Sequence, residues 1–285
     1  MAEPARVIDF RVRPPYGSFL GLSILDPTRS SPTMHGVEMA PSLREQSFDL
    51  FLDEMDEAGI DLGVVMGRQC GPDLGFIAND EVARMVREHP ESLVGFGAID
   101  PQSMSDPIGE VSRCINDLGL HGIVVDPGGL SDPIYADDAS LRKVFARCAE
   151  LRVPVAVGQS ALLGPDISYC HPVAVQRVAR AFPSLPIIVS HACWPWVLPM
   201  LGVAFSTPNI YLLPDFYLHI PGMPGAGEIV AASNYYLSDR LLYGSAYPVR
   251  PLKASLEEFR DLDLDPAVQE AALTRTPRHL LGLGD

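Results

Sequence analysis

The chain has 285 residues, 47% of them hydrophobic, which is enough for one sizeable core. Thirty-six acidic residues against 21 basic ones give a formal charge of −15, which repels nucleic acid and anionic membrane surfaces at long range. The five cysteines, Cys70, Cys114, Cys148, Cys170 and Cys193, are an odd set without C-x-x-C spacing, so neither a disulfide framework nor a zinc knuckle is expected and a cytoplasmic setting is natural.

In chain order, residues 1–6 run straight into Val7-Ile8-Asp9-Phe10 without the basic and apolar regions of a secretion signal. Strand-like runs begin near Val7, Leu62, Leu93, Gly122, Val153, Ile187, Ile210 and Leu241, most of them one βα unit apart. Between them the apolar spacing predicts helices at Leu43 to Ala58, Ile77 to Glu88, Ile108 to Leu118, Leu141 to Leu151 and Val173 to Phe182. The apolar stretch from Leu185 to Phe205 contains His191 and prolines at 186, 195 and 199, so it reads as a strand and a helix rather than a membrane span. Regular alternation of strand and helix implies a parallel sheet with helices outside. Eight units, and no G-x-G-x-x-G after the first strand, favour a single-domain (β/α)8 barrel over residues 1–285 rather than an open doubly wound sheet. Residues 14–41, rich in Pro, Gly and Ser, form a long gap that is either a lid or a plain surface excursion.

Barrel active sites lie at the C-terminal ends of the strands, and this rule sorts the polar residues. Of seven histidines, His89, His121 and His279 fall away from that end. His35, His171 and His219 follow strands one, five and seven, and His191 closes strand six, which makes it the leading acid or base. Asp9, Arg11 and Arg13 alternate along strand one and are therefore expected on one face. If that face looks inward, two guanidiniums at the mouth require anions, either a substrate carboxylate or phosphate or the internal acids Asp9, Asp100, Asp126 and Asp215. Asp100, Asp126 and Asp215 follow strands three, four and seven, and each is either an acid–base group or a turn cap. Asp215 is the preferred base because Phe216 and Tyr217 can desolvate it. Cys193 and Cys170 read as small buried apolar groups rather than nucleophiles. Trp194 packs the loop or walls the pocket, and Tyr247 either donates to substrate or packs as an aromatic.

Several blocks resemble the amidohydrolase superfamily, in the branch of aminocarboxymuconate-semialdehyde and resorcylate decarboxylases and a pyrone dicarboxylate lactonase. They are Val7-Ile8-Asp9, Gly119-Leu120-His121-Gly122-Ile123, Val153-Pro154-Val155, Ile188-Val189-Ser190-His191 and Leu242-Tyr243-Gly244-Ser245-Ala246-Tyr247-Pro248. The resemblance implies a (β/α)8 barrel holding one or two divalent metals through H-x-H on strand one, histidines ending strands five and six, and an aspartate ending strand eight. Here Arg11 and Arg13 stand at the H-x-H positions, Gly158 at or beside the strand-five histidine and Ala246 at the aspartate, so His191 alone persists. A guanidinium has no acceptor for a metal, so no metal and no cofactor are expected. A divergent ligand set from His191, His171, Asp215 and Cys193 is the remaining way to hold an ion.

The resulting expectation is a metal-independent hydrolase acting on a small anionic, carboxylated lactone, ester or amide. Arg11 and Arg13 would hold the carboxylate, His191 and Asp215 would move protons, and Asp126, His171, Trp194, His219 and Tyr247 would line the substrate. Decarboxylation or hydration of an unsaturated or aromatic acid is the alternative, and a non-catalytic anion-binding barrel is the third reading. Neither nucleic acid nor membrane is an expected partner, and the sequence leaves a homo-oligomer open.

Overall fold

A computed structural model describes residues 6–26 and 37–284, so ten residues of the 14–41 segment, His35 among them, lie outside the described part. Seven parallel strands follow one another in chain order. They are β1 (Ile8–Val12), β2 (Leu62–Met66), β3 (Leu93–Ala98), β4 (Gly122–Val125), β5 (Val155–Gly158), β6 (Ile187–Ser190) and β7 (Ile210–Leu213). The expected eighth strand is present only as single bridges, Leu212 to Leu241 and Val12 to Tyr247. The Phe10 amide donates to the Tyr243 carbonyl at 3.0 Å and the Arg13 amide to that of Tyr247 at 3.1 Å, so residues 241–247 still close the ring. The ladder is interrupted because the Ser245 amide turns to the Asp9 carboxylate at 3.0 Å and Ala246 takes a left-handed φ of 57°. The fold is a (β/α)8 barrel.

The helices that return the chain to the next strand start and stop on local chemistry. Ser47 caps α1 (Phe48–Ala58) by accepting from the Leu50 amide, and Gly59 ends it at φ 73°. Leu43 belongs instead to a short helix, Pro41–Arg44, separated from α1 by Gln46 at φ 50°. α2 (Asn79–Glu88), α3 (Pro107–Asn116), α4 (Ala139–Leu151) and α5 (Pro172–Ala181) fall where the apolar spacing puts them. After β6 come α6 (Val197–Ser206) and, beyond β7, α7 (Ala226–Ser233) and α8 (Leu252–Arg260). No helix among the described residues is long and apolar enough to cross a membrane.

Two apolar layers result. Ile8, Phe10, Val64, Phe96, Val124, Ala156, Ile188 and Leu213 fill the barrel, with Leu280 and Leu281 packed against them. Val12, Val65, Ile123, Val157, Val189 and Leu212 face the helices. A register shift between Asp9 and Val12 breaks the alternation of β1. Asp9 pairs with Gly63, where an added Cβ would meet the outer-layer side chains of Val12, Leu93 and Met55. Arg11 lies inward, its Cβ 3.4 Å from where a side chain at Gly244 would begin, beside inner-layer Leu213. The shared face expected for Asp9, Arg11 and Arg13 is thus split: the arginines reach the mouth and Asp9 stays behind the strand.

Candidate active site

Three chain segments leave the C-terminal ends of β6, β7 and the eighth segment through left-handed backbone. His191, Ala192 and Cys193 have φ of 66°, 45° and 56°, Asp215 has φ 56° and ψ −143°, and Ala246 has φ 57°. Such conformations cost about 1–3 kcal/mol each for residues with a Cβ and concentrate where function fixes a side chain. Here they bring His191 and Asp215 together. Arg11 Nη1 donates to Asp215 Oδ2 at 2.8 Å, and His191 Nδ1 lies 3.0 Å from the same oxygen. The imidazole nitrogen meets this oxygen outside hydrogen-bond geometry, so packing places the ring with Nδ1 beside the carboxylate. Its packing partners are Phe216, with ring centroids 6.1 Å apart, and Tyr217, at 5.8 Å.

Burial is the largest influence on both Asp215 and His191, but it acts in opposite directions on them. For Asp215 it is outweighed by Arg11 and His191, which hold the carboxyl below its usual range. For His191, burial and the Arg11 charge push the ring below its ordinary value, against the pull of Asp215. At neutral pH the group is therefore a neutral imidazole beside an ionised carboxylate. Gly244 makes room for this pair, since a Cβ there would stand 3.0 Å from Asp215 Oδ1.

A second cluster occupies the β1, β2 and β4 side. Arg13 donates through Nε to the Met66 carbonyl at 3.1 Å and through Nη2 to that of Gly67 at 3.3 Å, and its Nη2 is 3.9 Å from Asp126 Oδ2. Arg68, two residues beyond β2, is also buried. Burial would raise the Asp126 carboxyl, yet Arg68, then Arg13, then Arg11 hold it below its usual range. Three guanidiniums, of Arg11, Arg13 and Arg68, thus face two ionised carboxylates. Asp9 does not alter that balance cleanly, because burial pushes its carboxyl up to about 7.

The remaining expected site residues disperse. His171 caps α5 by accepting from the Val173 amide at 3.4 Å and lies edge-on to Trp196 at 4.8 Å. His219 is buried behind the barrel, within 3.4 Å of Glu258 and bonded to the Gly244 carbonyl and Ser255. The Tyr247 hydroxyl is 2.6 Å from the Ser42 hydroxyl and its ring packs on Phe51, so it serves the outer layer. Trp194 stacks on Tyr217 with centroids 5.0 Å apart and donates to the Pro224 carbonyl at 3.0 Å, forming a wall beside His191. Asp100 caps its own loop through Gln102 and Ser103. Burial raises the Cys70 thiol to about 12 and keeps Cys193 well above its ordinary value, so neither is a thiolate nucleophile. Arg68 was not anticipated. Arg68 satisfies the same strand-end rule as the others, in Val64-Val65-Met66-Gly67-Arg68.

The model for the family described as Amidohydrolase matches residues 8–283. The chain belongs to this amidohydrolase family. A solved structure, an uncharacterised TIM-barrel protein from Bordetella bronchiseptica, is 36% identical, with a TM-score of 0.92 over 97% of this chain and 98% of that one. A 2-amino-3-carboxymuconate-6-semialdehyde decarboxylase of Dictyostelium discoideum is 34% identical over 94 residues, 33% of this chain and 26% of that protein. The chain thus aligns with about a quarter of that relative's length. A gamma-resorcylate decarboxylase of a Rhizobium species is 27% identical over 221 residues, 64% of this chain and 68% of that protein. The structure of a 2,6-dihydroxybenzoate decarboxylase from Rhizobium shares the fold at a TM-score of 0.73 and 16% identity, covering 98% and 99% of the two chains.

The divalent ion that this family resemblance implies does not fit these residues. Arg11 and Arg13 offer no acceptor where the H-x-H would stand. A side chain at Gly158 would begin 1.9 Å from Asp126 Oδ1, so the carboxylate fills the space of the strand-five ligand. Asp215 is already engaged by Arg11 and His191. Among the described residues, no three His, Cys, Asp or Glu side chains are grouped to hold a metal ion, and the set His191, His171, Asp215 and Cys193 does not converge.

Proposed function

We propose that this amidohydrolase-family enzyme decarboxylates a small aromatic or unsaturated acid carrying a hydroxyl next to its carboxylate, with His191 as the proton shuttle. The observation that carries the reading is the buried His191, neutral at the outset and set 3.0 Å from the ionised Asp215 at the end of β6. The decarboxylase relatives support the same reaction class, so it displaces the hydrolase expectation.

The chemistry needs no acid at the start. With Nδ1 turned to Asp215, Nε2 of His191 is the nitrogen left to take the hydroxyl proton. The same proton then passes to the carbon bearing the carboxylate, which gives the keto tautomer and returns His191 to neutrality. The carbon–carboxylate bond breaks, carbon dioxide leaves, and the electron pair restores conjugation on to the oxygen as an oxyanion. Asp215 stabilises the transient imidazolium, and the Arg11 guanidinium, held on Asp215, stabilises the oxyanion as charge develops. Asp126 keeps Arg13 in place, while Trp194 and Tyr217 wall the ring.

A second reading draws on the same dyad: an imidazole oriented by a carboxylate also deprotonates water, which would hydrolyse a lactone or ester. The test is to incubate purified, chelator-dialysed protein with 2,6-dihydroxybenzoate, other ortho-hydroxybenzoates, unsaturated hydroxy acids and aryl lactones. Carbon dioxide released in step with substrate loss, and surviving dialysis, supports the lyase. Acid release from the lactones without carbon dioxide supports the hydrolase, and activity that returns only with added metal overturns the metal-independent route.

A further inference from the structure

Arg68 is the buried cation that the proposed reaction leaves unused. It is 5% exposed, and its side chain makes no hydrogen bond or ion pair with any described residue. An unpaired polar group at that depth is rare in a native fold and calls for a partner. The backbone that carries it is fixed rather than loose. The Ile77 amide donates to the Arg68 carbonyl at 2.8 Å, the Gln69 side chain donates to the Ile77 carbonyl at 2.9 Å, and the Gly71 amide donates to the Gly129 carbonyl at 2.9 Å. The loop after β2 is thereby pinned to the loop after β4, beside Asp126.

The surroundings specify the charge of the partner that Arg68 would take. Arg68 is the strongest charge acting on Asp126, ahead of Arg13, although Arg13 is the one in ion-pair range. Asp126 is therefore shared by two guanidiniums, and Arg13 is further held by the Met66 and Gly67 carbonyls. One positive charge on this side remains without an anion. The strand order places β2 opposite β6 in a ring of eight, so Arg68 and His191 stand across the mouth from each other.

We propose that Arg68, backed by Arg13, anchors a carboxylate that the substrate keeps throughout the reaction, while the bond that breaks lies at the His191 side. The planar guanidinium takes a carboxylate through two parallel hydrogen bonds. A cation gripping the departing carboxylate would stabilise the ground state and slow its loss, whereas one gripping a retained group serves binding alone. The division of labour rests on the lyase reading; the anchor itself does not.

Benzoate and the uncharged benzamide are the probes, titrated calorimetrically into the whole protein. Wild type takes benzoate and not benzamide. Arg68→Gln weakens benzoate by roughly thirtyfold or more, the usual order for removing a desolvated charged partner, and Arg68→Lys recovers part of it. Unchanged benzoate affinity in Arg68→Gln, or no benzoate binding by wild type, overturns the anchor. Should that variant fail to fold, the 15Nε resonance of Arg68 in wild type decides: a shift on adding benzoate but not benzamide is expected, and no shift overturns the proposal. With a dicarboxylic hydroxy acid that the enzyme turns over and that keeps one of its two carboxylates, Arg68→Gln raises KM and leaves kcat within about threefold. A parallel fall of kcat and kcat/KM overturns the retained role. Benzoate held by Arg68 in a protein that releases no carbon dioxide keeps the anchor and rejects the lyase. Carbon dioxide release with KM unaltered by Arg68→Gln does the reverse.

Discussion

On the β6–β7 side of the mouth, Arg11 and His191 converge on Asp215 at 2.8 and 3.0 Å. On the β2–β4 side, Arg13 stands 3.9 Å from Asp126 and Arg68 makes no ion pair with a described residue. The first cluster satisfies its charges internally, and left-handed backbone at His191 and Asp215 holds it in place. The second keeps a surplus cation. A site that must move a proton needs groups fixed against one another, whereas a site that must capture an anion needs a charge left over. Under the proposed function, the contrast assigns reaction to the first cluster and recognition to the second.

The largest blow to this contrast comes from Asp215→Asn. Removing the charge leaves Arg11 buried without its carboxylate and His191 without its orienting partner. We expect loss of stability of about 3–5 kcal/mol in denaturant titration, the usual cost of breaking a buried pair, with turnover falling to background. Near-normal turnover would remove Asp215 from the site.

His191→Gln tests the shuttle more narrowly, with turnover expected to fall by roughly 10²–10⁴ while benzoate binding persists. The pH profile follows from the lowered His191 value. The neutral base is present at and above neutral pH, so kcat/KM is level there and falls only as pH drops through a value below the ordinary one for histidine. A fall centred above pH 7 would contradict the assignment.

Gly158→Ala asks whether Asp126 truly fills the position of a family ligand. Its Cβ would meet Asp126 Oδ1 at 1.9 Å, so the carboxylate must move away from Arg13 and Arg68. A loss of about 1–3 kcal/mol, with weaker benzoate binding, is expected from such overpacking. An unchanged melting temperature would show that the carboxylate is not wedged there.

A separate effect concerns Asp9, outside both clusters. Burial raises its carboxyl to about 7, so its ionisation opposes folding. The sign is fixed: relative stability from this group is complete below the unfolded aspartate value of about 4, declines as pH rises, and levels off above about 7. Asp9→Asn should therefore raise the melting temperature at pH 8 and leave it unchanged at pH 4, provided that Asn keeps the Arg11 and Ser245 amide contacts. Asp126 and Asp215 act in the opposite sense, since their lowered values add stability above the unfolded range that is lost as the medium turns acid.

Local pattern was enough for most of the barrel. Strand starts at Leu62, Leu93, Gly122, Ile187 and Ile210, and helices α2 to α5, are fixed by apolar spacing and caps that neighbouring residues supply. The strand-end rule likewise picked out His191, Asp215, Arg11, Arg13 and Asp126, because position along a βα unit decides which residues reach the mouth. What neighbours in sequence cannot decide is direction. The register shift in β1 sends Asp9 behind the strand, the outer layer claims Tyr247 and His219, and a helix start claims His171. Whether each cation finds an anion depended on distances across the ring, between segments as far apart as Arg11 and Asp215, and only closure of the barrel set those.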